Sequence, residues 1–282
     1  MRRWLQVVIQ LVAVLVAGFV GGQGVQAANW NTPLTLVLGI AGAALALVVY
    51  AWVVRWTERR APAEVALKGA VGAVGRGLAI GAGAFTFVIV NIAFLEGYRA
   101  AGVGSVAGAI ALFGFTAAAA VTEELMLRAF LFRWVEKLIG TWWALLLTAV
   151  IFGFLHLMNP HAGLWSAIAI AIAGGGMLAA AYAATRNLWV PIGLHFGWNY
   201  AEGGIFGTDI SGVSAPKGLV DGVLSGPSLL TGGEFGPEAS LYTVFTGAVV
   251  TCALMWLARR RGHIVAPLWR TARVRETVTL TG

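Results

Sequence analysis

Apolar residues in this chain are gathered into long runs, separated by short clusters of charge and of Gly, Pro and Asn. A helix needs about 20 predominantly apolar residues to cross the hydrocarbon core of a bilayer. Runs that meet or approach this length cover residues 4–22, 34–54, 77–96, 105–137, 141–157, 164–184, 188–202 and 241–258. The pattern predicts an all-α membrane protein: a polytopic bundle of about eight transmembrane helices forming a single integral membrane domain over 1–282. No internal repeat of fixed period and no separate soluble domain is visible. The fourth run contains Glu123, Glu124, Arg128, Arg133 and Glu136. As one straight helix it would extend ~50 Å at 1.5 Å per residue, beyond the ~30 Å core, so it must kink, tilt strongly or begin as an interfacial segment.

Composition excludes a soluble globule. Of 282 residues, 59% are hydrophobic and 11% charged, against roughly 25% charged in an ordinary soluble domain, and the mean hydropathy is +0.82. The net charge of +7 acquires meaning from its placement. With the N-terminus in the cytoplasm, Arg2, Arg3, Arg55, Arg59, Arg60, Lys68, Arg76, Arg133, Lys137, Arg186, Arg259–Arg261, Arg270, Arg273 and Arg275 all fall on that side, sixteen of the 19 Lys and Arg residues. The opposite loops carry Arg99 and Lys217, and the longest, 203–240, is acidic. Cytoplasmic loops are the positive ones, so both termini are predicted to be cytoplasmic, with a basic tail over 259–282. Positives spread between apolar runs do not form the single basic surface that nucleic acid requires. The lone cysteine, Cys252, excludes a disulfide framework and reads as a small apolar filler. Residues 1–27 also fit a cleaved signal peptide, although their apolar stretch is long for one; in either case residue 28 emerges on the far side.

Ionisable groups deep in apolar spans are costly and by default mark a functional site. Glu123, Glu124 and Arg128 lie in the fourth run, His156 near the end of the fifth, and His195 and Asn199 in the seventh. The fourth and fifth runs form a helical hairpin about Ile139-Gly140, from which Glu123 and His156 are equally distant, so the two can face each other. Counting from the helix starts puts all these residues at one level near mid-membrane. Glu124 and Arg128 are four apart, the spacing for pairing along a helix face. Glu123 points about 100° away from Glu124 and is left available for chemistry. His195 and Asn199 share a face, as do Gly193 and Gly197, which would let a neighbouring helix approach closely. Gly174–Gly176 read as small-residue packing or a flexible point. His161 and His263 are expected in solvent, while Asn91 and Glu96 are weaker candidates for lining a cavity.

Glu123-Glu124-x-x-x-Arg128, Phe152-x-x-x-His156 and His195-x-x-x-Asn199, in that order, resemble the three signature motifs of the CAAX prenyl protease and bacteriocin-processing (CPBP, or Abi) family of intramembrane endopeptidases. The resemblance covers residues 123–199 and implies peptide-bond hydrolysis in or at the edge of the membrane. It further implies that Glu123, with His156, activates water, that His195 and Asn199 stabilise the oxyanion, and that Glu124 and Arg128 support them. The expected partners are membrane lipid and a membrane-bound, lipidated or leader-bearing substrate, in the plasma membrane if the source is prokaryotic, with no nucleic acid and no cofactor. Three other readings stay open. Glu123, His156 and His195 could be the three protein ligands of a catalytic zinc. Glu and His chains also form proton relays in transporters, and a catalytically inactive scaffold would keep the same spans.

Overall fold

The computed structural model describes residues 2–269; Arg270, Arg273 and Arg275 of the expected basic tail lie outside the described residues. Within that range the chain is nearly all helical. In order come α1 (Arg3–Ala27), α2 (Thr32–Glu58), α3 (Ala70–Phe94), β1 (Tyr98–Val103), α4 (Val106–Glu124), α5 (Arg133–Leu155), α6 (Leu164–Ile170), α7 (Met177–Thr185), α8 (Trp189–Asn199), β2 (Val220–Leu224), the single turn α9 (Ser228–Thr231) and α10 (Leu241–Arg260). Among the described residues, six helices are long and apolar enough to cross a membrane. The predicted eight runs differ from this count for two reasons. The fourth and fifth runs merge into one continuous helical stretch, Val106–Met158, which reverses at Gly140, whose φ of 79° and ψ of 170° are not helical. The seventh run, α8 with its π-helical extension Tyr200–Ile205, is shorter than the other spans.

The long fourth run is accommodated by a change of helix type. α4 passes through a π-helical stretch, Leu125–Phe132, before α5 begins. Arg133 does not end the span in a charged loop, as the charge pattern suggested. It turns inward and donates to Glu58 at 2.6 and 2.9 Å and to Gln10 at 3.1 Å. Fully buried Gln10 also accepts from Trp134 Nε1 at 3.1 Å and donates to Thr57 Oγ1 at 2.7 Å. A buried polar network must be satisfied throughout to be stable, and this one fastens α1, α2 and α5 together at the basic end of the bundle.

Outward-facing positions are apolar, for example Phe19, Val37, Phe87 and Phe245, the reverse of a water-soluble protein. Contact between helices therefore depends on small residues and close backbone approach. α3 and α8 meet through Gly77, Gly81, Gly193 and Gly197. A Cβ at Gly193 would lie 2.3 Å from the Val74 carbonyl oxygen, and one at Gly197 would lie 2.5 Å from that of Leu78. The expected role of Gly193 and Gly197 is thus seen directly, and it draws the His195–Asn199 turn into the interior.

Two features depart from the sequence reading. Tyr98–Val103 and Val220–Leu224 pair as a two-stranded antiparallel sheet, Tyr98 opposite Leu224 and Val103 opposite Val220, with a bulge between Ala100 and Gly102. Short strands in Gly-rich connections carry too little apolar alternation to register in the pattern. Cys252 faces outward on α10 rather than filling the interior.

Candidate active site

Arg128 is fully buried where the π-helical stretch follows α4, and its Nη1 donates to Glu124 Oε1 at 2.8 Å. The pairing expected from four-residue spacing is present. Its Nη2 reaches the carbonyls of Gly174 and Gly175 at 3.4 and 3.3 Å. Those glycines belong to a second π-helical stretch, Ala171–Gly176, between α6 and α7. Their function is more specific than packing: the widened turn offers carbonyl oxygens to a buried cation.

The same Glu124 oxygen lies 3.0 Å from His195 Nδ1. An ionised carboxylate only accepts, so Nδ1 carries the proton and donates. The other ring nitrogen, Nε2, points toward Glu123 and lies 3.9 Å from its Oε2. That is too far for a direct hydrogen bond and the right order for a bridging water. The two adjacent carboxylates are consequently unlike: the Glu124 side chain is 0% exposed, that of Glu123 32%.

His156 caps α5 and begins the tight turn His156–Met158. Its Nδ1 lies 2.8 Å from the Phe152 carbonyl oxygen. Donation there leaves Nε2 as the ring's acceptor. The Phe152 ring lies between the motifs: the Arg128 guanidinium sits 4.8 Å from its centre, the His156 ring 4.6 Å and the His195 ring 6.1 Å. Its place in Phe152-x-x-x-His156 is thus a packing requirement as well as a motif position.

Glu123 and His156 line one cavity of about 230 Å³ together with Met126, Leu127, Phe152, Leu155 and Asn159. His156, His195 and Asn199 line a second, narrow one of about 20 Å³, roughly the room one water needs. All four expected catalytic residues therefore border two adjoining cavities, with Glu124 and Arg128 behind them. Because α5 ends at Leu155, His156 stands at the end of its helix, whereas Glu123 lies midway between Val106 and the reversal at Gly140.

The segment after α8, to which the sequence assigned nothing, closes over this end. Asn159 donates to the Ser211 carbonyl at 3.0 Å, and Ser211 and Glu238 line the narrow cavity. Glu238 accepts from Trp198 Nε1 at 3.1 Å and from the Ser211 hydroxyl. Fully buried Glu202 lies beside Glu238, and its carboxyl oxygens make no well-formed hydrogen bond. Glu202 follows Asn199 by three residues, a helical spacing that could have flagged it; Ser211 and Glu238 lie in irregular chain without periodicity. The weaker candidates fall outside the site. Asn91 donates to its own helix at Phe87, Glu96 is exposed, and His161 pairs with Glu234 at 3.2 Å. His263, expected in solvent, is partly buried with Nδ1 3.0 Å from the Ala184 carbonyl oxygen.

No group of three or more His, Cys, Asp or Glu side chains able to hold a metal ion occurs among the described residues.

Long apolar helices around buried carboxylate, guanidinium and imidazole groups define a multi-pass integral membrane protein with a polar site inside its bundle. Residues 104–201 match the family model described as type II CAAX prenyl endopeptidase Rce1-like, so the resemblance read from the motifs is established over a stretch that contains all three. That family is one of proteases, and the match supports a peptidase reading of this membrane protein. No curated protein and no solved structure matches the chain.

Proposed function

We propose that this protein is an intramembrane endopeptidase that hydrolyses a peptide bond of a membrane-associated, lipidated or leader-bearing substrate without a metal. The observation that carries the reading is the shared cavity of Glu123 and His156, backed by the Arg128–Glu124–His195 chain of contacts. In this reading eight segments cross the bilayer, the two halves of Val106–Met158 and α8 included, and both termini are cytoplasmic. In a prokaryote the membrane is the plasma membrane.

Glu123 takes a proton from a water lying between it and the His156 Nε2 acceptor, and the resulting hydroxide attacks the scissile carbonyl. His195, held through Nδ1 by Glu124, faces the reacting carbon with Nε2. It donates from there as an imidazolium, and Arg128 with this ring then balances the charges of Glu123 and Glu124. Together with the Asn199 amide it stabilises the oxyanion. Glu123 then returns its proton to the leaving amine.

The test is hydrolysis of membrane-anchored peptides by the purified protein. Glu123→Ala and His156→Ala should each abolish cleavage, and the activity should survive exhaustive metal chelation. Wild-type rates in either variant would refute the mechanism.

A further inference from the structure

We infer that the second half of α1 forms the wall of a substrate groove that binds about four residues of extended, uncharged peptide leading into Glu123. The inference rests on the endopeptidase reading, which requires a polypeptide to reach that carboxylate. The α1 wall lies outside the matched stretch 104–201.

α1 and α4 touch where a Cβ at Gly18 would lie 2.4 Å from the Thr122 methyl carbon. Beyond that contact they diverge, and a Cβ at Gly22 would meet nothing within 4 Å. The wedge between them is an open cavity of about 570 Å³ that ends at Thr122 and Glu123. Trp30 and Phe115 close its far end, ring centres 5.2 Å apart, and Val213 and Ser214 flank it. Trp30 is held with φ at 59° and Asn29 at 44°. Such values in consecutive non-glycine residues, one of them bulky, cost energy and tend to accompany function.

The lining chemistry selects the occupant. Apart from Glu123 the groove carries no charge, but Gln23, Gln26 and Asn29 place three carboxamides along it. All three residues are exposed, and the contact between Gln23 and Gln26 is long, at 3.4 Å. Carboxamides facing a bilayer demand partners. Each has both a donor and an acceptor and so matches a peptide unit, as a sheet edge does for an added strand. From Gly18 to its end at Ala27 the helix rises ~14 Å, the reach of about four extended residues at ~3.3 Å each. Past Glu123, the cavity with Met126, Leu127, Phe152 and Leu155 takes the apolar residues on the other side of the scissile bond. The groove opens at the end of the bundle opposite the Arg55–Arg60 cluster, which is the non-cytoplasmic side in the proposed orientation. The substrate is therefore an anchored chain presented from that side.

The probe is a synthetic peptide with a Leu/Ala anchor of about 20 residues followed by roughly ten uncharged polar residues, the extended stretch. It is reconstituted with the full-length protein in phosphatidylcholine vesicles. In a Glu123→Gln background, a benzophenone amino acid at position 26 should capture the peptide at least ~10-fold more than one at outward-facing position 245. N-methylation of the extended stretch should remove that excess, because it removes the backbone donors. In otherwise wild-type protein, the triple variant Gln23→Ala, Gln26→Ala, Asn29→Gly should lower kcat/KM at least ~10-fold through KM; glycine suits the positive φ of Asn29. Equal capture at 26 and 245, capture indifferent to N-methylation, or unchanged KM would overturn the groove. Capture at 26 without hydrolysis by the wild-type protein would instead overturn the endopeptidase reading and leave the groove standing.

Discussion

Glu123 and Glu124 are adjacent in sequence, yet the structure gives them opposite tasks, and replacing each by glutamine separates these. Glu124 Oε1 accepts from Arg128 at 2.8 Å and His195 at 3.0 Å, and its Oε2 has no partner. A glutamine can keep its carbonyl at the Oε1 position and put its NH₂ at the other, so Glu124→Gln preserves shape and removes only charge. Arg128, with no exposed side-chain surface, then becomes an unpaired buried cation, at a cost of about 3–5 kcal/mol. Glu123 contacts His195 at 3.9 Å and is partly open to a cavity, so Glu123→Gln should cost under ~1 kcal/mol in stability while lowering turnover ~10²–10⁴-fold or more. Adding Arg128→Met to Glu124→Gln removes the stranded charge and should restore about half of the lost stability, roughly 1.5–2.5 kcal/mol. Reversible unfolding in mixed detergent micelles, followed by tryptophan fluorescence, measures the stabilities; peptide hydrolysis measures turnover. The division of roles would be refuted by equal destabilisation in the two single variants, or by stabilities of Glu124→Gln and Arg128→Met that simply add.

Three further outcomes are expected. Gly197→Val must push α3 away, because its Cβ would lie 2.5 Å from the Leu78 carbonyl oxygen; Gly83→Ala, with nothing within 4 Å, should be neutral. Unfolding should show a loss of about 1–3 kcal/mol or more for the first, with turnover reduced through displaced His195 and Asn199. Glu202→Gln supplies a donor where two buried carboxyl groups meet and should leave the melting temperature unchanged or raised; a clear fall would show that the acid itself is needed. At Glu64, in the 59–69 connection, burial pushes the carboxyl up, but the Arg60 guanidinium at 2.8 Å and the Tyr50 hydroxyl outweigh it and hold the group below its usual 4.5. Its stabilising contribution is therefore complete above that value and is lost as pH falls through the depressed one. The melting-temperature advantage of wild type over Glu64→Gln should be constant near neutrality and shrink on strong acidification; a pH-independent difference would contradict this.

Much of this protein could be read from its one-dimensional pattern, for a physical reason. A bilayer forces backbone polar groups to bond within the segment, so an apolar run of sufficient length specifies a helix with little help from its neighbours. The cost of burying Glu123, Glu124, Arg128, His156, His195 and Asn199 marked them by contrast. Helical spacing alone gave the Glu124–Arg128 pair and the Gly193–Gly197 contact face, both local relations along one rod.

Relations between rods were settled only in three dimensions. Spacing does not say that His195 shares one oxygen of Glu124 with Arg128, or that the carbonyls of Gly174 and Gly175 receive that arginine, because both depend on where π-helical turns widen and rotate the chain. The irregular 206–240 segment carries neither the long apolar run nor the periodicity that would signal its place, yet tertiary packing brings Ser211 and Glu238 to the cavity of His156, His195 and Asn199. The sequence by itself determined which residues were too polar for their surroundings. The tertiary structure decided which of them touch, since contact between distant segments is set by the geometry of packing and not by composition.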